Sequence, residues 1–397
     1  MNKEVVMVSF IDSSNIGDQL ISRTIEQELL IDYEVKNFSY KYVENDFYCK
    51  STNKKRRNWF NKIYNKYIKN IKVVHTPIAK AKWLLYYNYK LKRQDSEKLR
   101  KALRETGVLI IGGGNVIFDS SEYTFSALKF AHLLDIAEEE GAEIFVCSIG
   151  IGPFQTEKQE KEAVKQLKRC KAVVLRDSLS QRYCIENGFE TAVKSIDPVF
   201  LLRAEDKVMV KKIPIIGICV IDYRISGASY EEYVSYLNNL KRLITILDNY
   251  LSVKIVLFST EKEDYNTINE LEEGLHGLRS VSSRTVNSDK ELLKMYSTFD
   301  LVIGTRMHSM IIAVSQNIPV IGLSWQQKVD EMFKNIDLYS NCYDIEKLHD
   351  YLYEIGDKSK KIIENNPICV EEMNVIKKRL ASEFLIVKKE FDHFIKH

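Results

Sequence analysis

Residues 300 to 309 read Asp-Leu-Val-Ile-Gly-Thr-Arg-Met-His-Ser. The apolar run Leu301 to Ile303 predicts a buried strand, Gly304-Thr305 a sharp turn, and the residues from Arg306 onward a helix. A strand that gives way directly to a helix is the building block of a parallel α/β sheet, because parallel neighbours need a crossover between them. The same turn places a fixed cation, Arg306, and an imidazole, His308, at a helix N-terminus. Unpaired backbone N–H groups and the helix dipole favour an anion there. One wall of an anion-binding site is therefore expected.

The alternation continues on both sides. Before the turn come strand Ile215 to Val220, helix Tyr230 to Tyr250, strand Val253 to Phe258, helix Lys262 to Glu273, strand Leu278 to Val281 and helix Lys290 to Tyr296. After it come helix Met307 to Gln316, strand Pro319 to Leu323 and the polar turn Ser324 to Lys328. The first half of the chain follows the same plan. Residues 4 to 11 form a strand that runs into Asp12-Ser-Ser-Asn-Ile-Gly-Asp18, with Asp18 a candidate N-cap for a helix from Gln19 to Leu30. Val108 to Ile111 ends in Gly112-Gly-Gly-Asn115, where three glycines let the backbone approach a ligand and turn its N–H groups inward. Later strands end in Ile149-Gly-Ile-Gly-Pro153 and Leu175-Arg-Asp-Ser178. Ligand groups thus gather on one edge of the sheet, where open α/β folds bind their ligands. The glycine spacing matches neither a dinucleotide fingerprint nor a P-loop, so neither ligand class is specified.

The expected fold class is α/β, with two Rossmann-like doubly wound domains facing a cleft (GT-B-like) and C-terminal helices. The N-terminal domain is placed at 1–203 and the C-terminal domain at 204–343, with charged residues 203 to 212 as the linker. Helices over 344–397 are expected to pack back on the N-terminal domain. Ala172-Val-Val-Leu-Arg176 echoes Leu301 to Arg306, and both arginines stand where a strand becomes a helix. Across a cleft, Arg176 and Arg306 would grip one anion from two sides.

Composition narrows the class. Hydrophobic residues at 45% and charged residues at 28% are those of a globular protein, and no apolar run approaches the roughly 18 to 20 residues that span a bilayer. The N-terminal stretch reads as a first strand rather than a signal peptide, so a cytoplasmic protein is expected. The cysteines at 49, 147, 170, 184, 219, 342 and 369 are scattered and form no C-x-x-C, which argues against a disulfide framework or zinc knuckle. Net charge is only +3, yet Lys50 to Arg93 holds 14 basic residues and no acidic one, leaving 44 basic against 55 acidic elsewhere. Aromatics are interleaved there, among them Trp59, Tyr64, Trp83 and Tyr87. Insertion 50–93 fits a solvated helical excursion, a peripheral contact with an anionic membrane surface or lipid-linked acceptor, or nucleic-acid binding. No nucleic-acid motif supports the last, and no nucleic-acid partner is expected.

The motifs, taken in order, are Asn15-Ile-Gly-Asp18, Gly112-Gly-Gly-Asn115, Ser148-Ile-Gly-Ile-Gly152, Leu175-Arg-Asp-Ser178, Asp197-Pro-Val-Phe200, Gly304-Thr-Arg-Met-His-Ser309 and Lys328-Val-Asp330. Together, over roughly residues 10 to 335, they resemble the polysaccharide pyruvyl transferase family. The resemblance implies transfer of pyruvate from phosphoenolpyruvate onto two hydroxyls of a sugar, as a ketal, in cell-surface polysaccharide biosynthesis. It implies His308 and Arg306 as catalytic residues and Arg176 and Lys328 as further donors to the substrate's phosphate and carboxylate, groups that suit bidentate arginine. Asn15, Gly17, Asp18, Gly112, Gly113, Gly114, Asn115, Thr305 and Ser309 are the remaining candidate binding residues. No metal and no cofactor are expected beyond phosphoenolpyruvate as donor substrate, and the partner is a saccharide acceptor, lipid-linked in one reading, at the inner face of the membrane.

Two alternatives stay open. A nucleotide-sugar-dependent GT-B glycosyltransferase would share the architecture, but such enzymes usually carry a ribose-binding Glu about seven residues before the Pro of the next strand. Counting back from Pro319 reaches Ile312. A non-catalytic member that binds a glycan or membrane is the other.

Overall fold

A computed structural model describes residues 3–40, 96–119, 121, 122, 124, 126–206 and 213–396. The basic insertion 50–93 and residues 207–212 of the expected linker lie outside them. Contacts divide the chain into two compact units. One holds the chain up to Asp12, Leu30–Lys194 and the residues from Lys389 onward; the other holds Ser13–Leu29 and Ser195–Lys388. The first helix, expected beside the first strand in the N-terminal domain, thus groups with the second unit.

In chain order the first half contains β1 (Lys3–Ser9), α1 (Ile16–Glu28), β2 (Tyr33–Ser39), α2 (Glu97–Thr106), β3 (Val108–Gly112), β4 (Asn115–Ile117), α3 (Ser126–Glu139), β5 (Glu143–Ile151), α4 (Glu157–Leu167), β6 (Ala172–Leu175), α5 (Ser178–Glu186) and β7 (Val193–Lys194). Its sheet runs β2-β1-β3-β5-β6-β7, with β4 beside β5, all pairs parallel. The apolar runs predicted as strands are buried on both faces, as a covered parallel sheet requires: Leu109, Ile110, Ile111, Phe145 and Val146 are all inaccessible. Phe391 and Phe394 pack with ring centroids 5.2 and 5.3 Å from that of Phe145, which ties the chain's last turns to this unit.

The second half contains β8 (Ile215–Cys219), α6 (Tyr230–Tyr250), β9 (Lys254–Phe258), α7 (Tyr265–Glu273), β10 (Val281–Ser283), α8 (Asp289–Tyr296), β11 (Leu301–Gly304), α9 (Met307–Ser315), β12 (Val320–Ser324), α10 (Gln327–Asn335), β13 (Cys342–Asp344), α11 (Leu348–Glu364) and α12 (Asn366–Lys396). Its sheet runs β10-β9-β8-β11-β12-β13, again parallel throughout. That is the doubly wound order 3-2-1-4-5-6, whose strand direction of travel reverses between its first and fourth members. Here the reversal lies between β8 and β11, and ligand groups are expected at the carboxyl ends of those two strands.

Local departures from expectation have simple causes. Helix α1 starts at Ile16 rather than Gln19, because the Asn15 side chain accepts from the Gly17 N–H at 2.9 Å and serves as the cap expected of Asp18. Asp197 caps a 3₁₀ turn over Pro198–Leu201, as proline at the first helical position favours. Cys147, Cys170, Cys184 and Cys219 are buried and unbridged. Burial pushes the Cys147 thiol up to about 12 and that of Cys219 up to about 11, so neither is a ready nucleophile. Among the described residues no helix is long and apolar enough to cross a membrane.

Candidate active site

In the second unit the β11 turn is fastened to the end of β8. Thr305 donates its N–H at 3.3 Å and its hydroxyl at 2.7 Å to the carbonyl of Cys219, and is itself fully buried. The indole N–H of Trp325 donates to the Thr305 carbonyl at 2.9 Å. The Ser309 hydroxyl donates to the Arg306 carbonyl at 2.6 Å, and the Ser309 carbonyl accepts from the Tyr296 hydroxyl at 2.8 Å. Both candidate hydroxyls therefore bond within the turn, where they set its shape.

Arg306 is the N-cap residue of α9, and its side chain turns to a buried carboxylate. Its Nε and Nη2 form a fork onto Asp264 Oδ2 and Oδ1 at 2.9 and 2.7 Å. Asp264 is inaccessible and fully satisfied: it also accepts from the Asp222 N–H at 2.8 Å and the Ser259 hydroxyl at 2.5 Å. One carboxylate thus joins the loops that follow β8, β9 and β11. Burial works against the Arg306 charge, but the bonds and charge of Asp264 outweigh it and hold the guanidinium above its usual range. Among the described residues Nη1 has no hydrogen-bond partner, which leaves one edge of the cation for a ligand.

His308, 6% exposed, sits one residue into α9 between two carboxylates. Its Nδ1 lies 3.7 Å from Asp18 Oδ1 and its Nε2 lies 3.6 Å from Asp197 Oδ2. Both distances exceed a hydrogen bond, and the buried Nε2 has no hydrogen-bond partner among the described residues. Asp197 is oriented by its other oxygen, which accepts the Val199 N–H at 3.0 Å. The imidazole packs directly against Gly17: a Cβ built there would stand 2.4 Å from His308 Cβ and Cγ. Glycine is required at 17 because a side chain would occupy the ring's place. This contact also explains why α1 groups with the second unit, since its first turn is the seat of His308.

The loop before α1 is wound on itself and fastened to the β9 loop. Ser13 Oγ accepts the Asn15 N–H at 3.1 Å, and Gln19 Nε2 donates to the Ser13 carbonyl at 2.6 Å. The Ile16 N–H donates to the Thr260 carbonyl at 3.1 Å, and the Ser14 hydroxyl to Glu261 Oε1 at 2.5 Å. Asn15, Gly17, Asp18, Thr305, Arg306, His308 and Ser309 therefore gather in one unit. Lys328 is half-buried in the first turn of α10.

The remaining candidates belong to the first unit. Gly113 and Gly114 have φ of 83° and 67°, left-handed values that suit glycine. Asn115 donates to the Gly152 carbonyl at 2.8 Å, while its buried Oδ1 has no hydrogen-bond partner among the described residues. Arg176, 5% exposed at its side chain, lies over Gly150, where a Cβ would meet its Nε at 2.8 Å and Asn115 Oδ1 at 3.0 Å. Its Nε is 3.5 Å from Asp177 Oδ2. The Ser148 hydroxyl nearby in sequence is also buried without a partner among the described residues, on a backbone with φ of 50°. Such orphaned polar atoms around a glycine gap mark places where a ligand could complete the bonding.

Sequence reasoning did not single out Asp197, Asp264 or Glu261 as site residues. Asp197 carried a signal, its Asp-Pro pairing; the other two sit in an acidic stretch, Glu261 to Asp264, that reads as a solvated helix start. Among the described residues no group of three or more His, Cys, Asp or Glu side chains is placed to hold a metal ion.

Comparison with known proteins places the chain. The chain is 21% identical over 314 residues to the amylovoran biosynthesis protein AmsJ of Erwinia amylovora, covering 71% of this chain and 73% of that protein. Its fold is similar to that of Anabaena HepE, solved in complex with UDP-glucose, with a TM-score of 0.55, 10% identity and 99% of each chain covered. A Thermobaculum terrenum O-GlcNAc transferase mutant, at a TM-score of 0.49 and 14% identity, is longer, and the chain spans 66% of it. The family model described as polysaccharide pyruvyl transferase matches residues 15–327, from the seat of His308 to the start of α10. The chain belongs to the polysaccharide pyruvyl transferase family, and its role lies in polysaccharide biosynthesis.

Proposed function

We propose that the protein transfers pyruvate from phosphoenolpyruvate to two hydroxyls of a glycan sugar, forming a ketal and releasing inorganic phosphate. The observation that carries this reading is the seating of His308 on Gly17 between Asp18 and Asp197, two residues along the chain from Arg306. The reaction must deliver a proton to the methylene carbon, join a sugar oxygen to the adjacent carbon, and expel phosphate as the second hydroxyl closes the ketal. One hydroxyl proton balances the proton delivered to carbon, and the other leaves with phosphate.

In this reading His308 moves a proton between substrate and its Nδ1 edge. Asp197, buried and fixed by the Val199 N–H, orients the ring from the Nε2 side. Arg306 presents its Nη1 edge to the anion while Asp264 holds the other edge rigid, so little side-chain entropy is lost on binding. Arg176 and Lys328 act as further donors to the carboxylate and phosphate. A ribose-bound donor finds less support, since Ile312 is fully buried and apolar at the position where ribose would be held.

The test is phosphate release from phosphoenolpyruvate, screened over sugar acceptors including lipid-linked ones. Release that depends on both donor and acceptor, and that falls by at least 100-fold in His308→Ala, is the expected result. Turnover of a nucleotide sugar with phosphoenolpyruvate untouched would overturn it.

A further inference from the structure

Transfer onto a sugar needs two proton movements. A proton must reach the methylene carbon of phosphoenolpyruvate, and another must leave the hydroxyl that adds to the adjacent carbon. While it carries the proton it delivers, His308 is a donor on both ring nitrogens and cannot accept one. A base beside it is required.

The carboxylates of the second unit narrow the choice. Asp264 is inaccessible and forked onto Arg306. Asp222 accepts from Arg224 at 2.7 and 2.9 Å, and Glu261 accepts from Ser14 at 2.5 Å. Among the described residues two carboxylates lie within 4 Å of His308, and they differ in access. Asp197, on the Nε2 side, is 4% exposed at its side chain and has one oxygen fixed by the Val199 N–H. Asp18, on the Nδ1 side, is 25% exposed. Its Oδ1 stands 3.7 Å from Nδ1, and its Oδ2 stands 3.5 Å from the Ser13 hydroxyl, beyond the usual hydrogen-bond range. Gly17 makes this placement possible: the ring packs against residue 17, and the next carboxylate in the first turn of α1 comes beside Nδ1. Asp18 thus adjoins the imidazole edge assigned to proton transfer and stays open to a substrate.

We propose that Asp18 is the general base of the transfer, taking the proton from the sugar hydroxyl while His308 serves the donor. The inference rests on the pyruvyl-transfer reading for the identity of the donor, whereas loss of a hydroxyl proton belongs to transfer from a nucleotide sugar as well. As the first hydroxyl adds, its O–H bond breaks, the proton goes to Asp18, and the oxygen forms the new C–O bond. The double-bond electrons take the proton of His308 and form a methyl C–H bond. Asp18 then passes its proton to Nδ1, which restores both groups. As the second hydroxyl closes the ketal, the bond from carbon to the phosphate oxygen breaks with its electron pair. The second hydroxyl proton leaves on phosphate by way of Asp18 and His308.

The probes are phosphoenolpyruvate with methyl and lipid-linked hexose glycosides, and UDP-glucose with the same acceptors in a parallel arm. Asp18→Asn keeps the side chain's shape and an oxygen for Ser13 but cannot take a proton. Its kcat should fall by about 10²- to 10⁴-fold with an unchanged thermal melt and an unchanged KM for the donor. A smaller fall, or a loss confined to KM, overturns the proposal. Asp18→Ala opens a space that a small carboxylate can fill, so added formate should raise its turnover at least tenfold and should not raise that of Asp197→Ala, whose site is sealed. Absence of rescue in Asp18→Ala, or equal rescue in both, overturns it too, and this arm holds even if Asp18→Asn fails to fold. Phosphoenolpyruvate turnover that ignores Asp18 sinks this inference alone. Asp18-dependent transfer from UDP-glucose, with phosphoenolpyruvate untouched, sinks the pyruvyl-transfer reading alone, and a wild type that turns over neither donor overturns both.

Discussion

In the first unit Arg176 follows β6 by one residue, and the next residue, Asp177, caps α5 through its bond from the Ser180 N–H at 2.7 Å. In the second, Arg306 follows β11 by two residues and is itself the cap of α9. The topological position is nearly the same; the chemistry is not. Arg306 is forked at 2.7 and 2.9 Å onto a carboxylate that binds three loops together, whereas Arg176 stands 3.5 Å from Asp177 and is fitted to the space over Gly150. Arg306 is held by a two-bond fork to one buried carboxylate, while Arg176 lies over the bare backbone of Gly150 beside the carboxylate of Asp177. Among the described residues the second-unit arginine has a buried histidine, His308, two positions along the same turn, so proton handling is expected to belong to that unit.

The largest effect expected of this contrast is on turnover. His308→Ala should lower phosphate release by about 10²- to 10⁴-fold with the fold retained, since general acid–base groups contribute that much, and kinetics with a parallel thermal melt checks it. Loss of activity explained by unfolding would break the assignment. Next is stability. Asp264→Ala leaves a buried guanidinium without its partner and should cost about 3–5 kcal/mol in denaturant unfolding. Asp177→Ala, which removes a helix cap and a long ion pair, should cost only about 1 kcal/mol. Equal costs would erase the distinction between the two arginines.

Gly17→Ala and Gly150→Ala sharpen it further. A Cβ at 17 meets the rigid root of His308 at 2.4 Å, while one at 150 meets the far end of Arg176 at 2.8 Å. Displacing the imidazole should cost about tenfold or more in kcat, and shifting Arg176 should appear mainly in KM. The smallest effect is that of pH on stability. Glu261 has its value raised from 4.5 to about 7 on folding. The stability it contributes is complete below 4.5 and is lost as pH rises through 7. Glu261→Gln, which escapes that loss, should gain about 1–2 kcal/mol over the wild type between pH 4.5 and 8, after allowance for solvent screening. Unfolding curves at the two pH values test it, and a constant difference would count against the shift.

Much of the scaffold was legible from the chain. Buried runs such as Leu109 to Ile111 and Leu301 to Ile303 announce parallel strands, and Gly113 and Gly114 announce a backbone that side chains would strain. Helix starts were less legible. Asn15 rather than Asp18 caps α1, because two polar residues three apart compete for one role and local sequence does not rank them. The site was half legible: Arg306, His308, Asn15 and Asp18 were singled out, but Asp264 and Glu261 look like an ordinary charged helix start. Their burial depends on the loops before α1 and after β11 closing over them.

By itself the sequence determined that strands alternate with helices, and that an arginine and a histidine stand at the turn after Ile303. Those outcomes rest on periodicity and turn chemistry within a few residues. Only the tertiary structure decided what the charges face. Arg306 meets Asp264, 42 residues away, because β8 lies between β9 and β11 in the sheet and its loop joins theirs. His308 meets Gly17 and Asp18 from the other end of the chain because α1 packs with the second unit. Electrostatic partnership follows neighbourhood in space, and strand order sets that neighbourhood where spacing along the chain cannot.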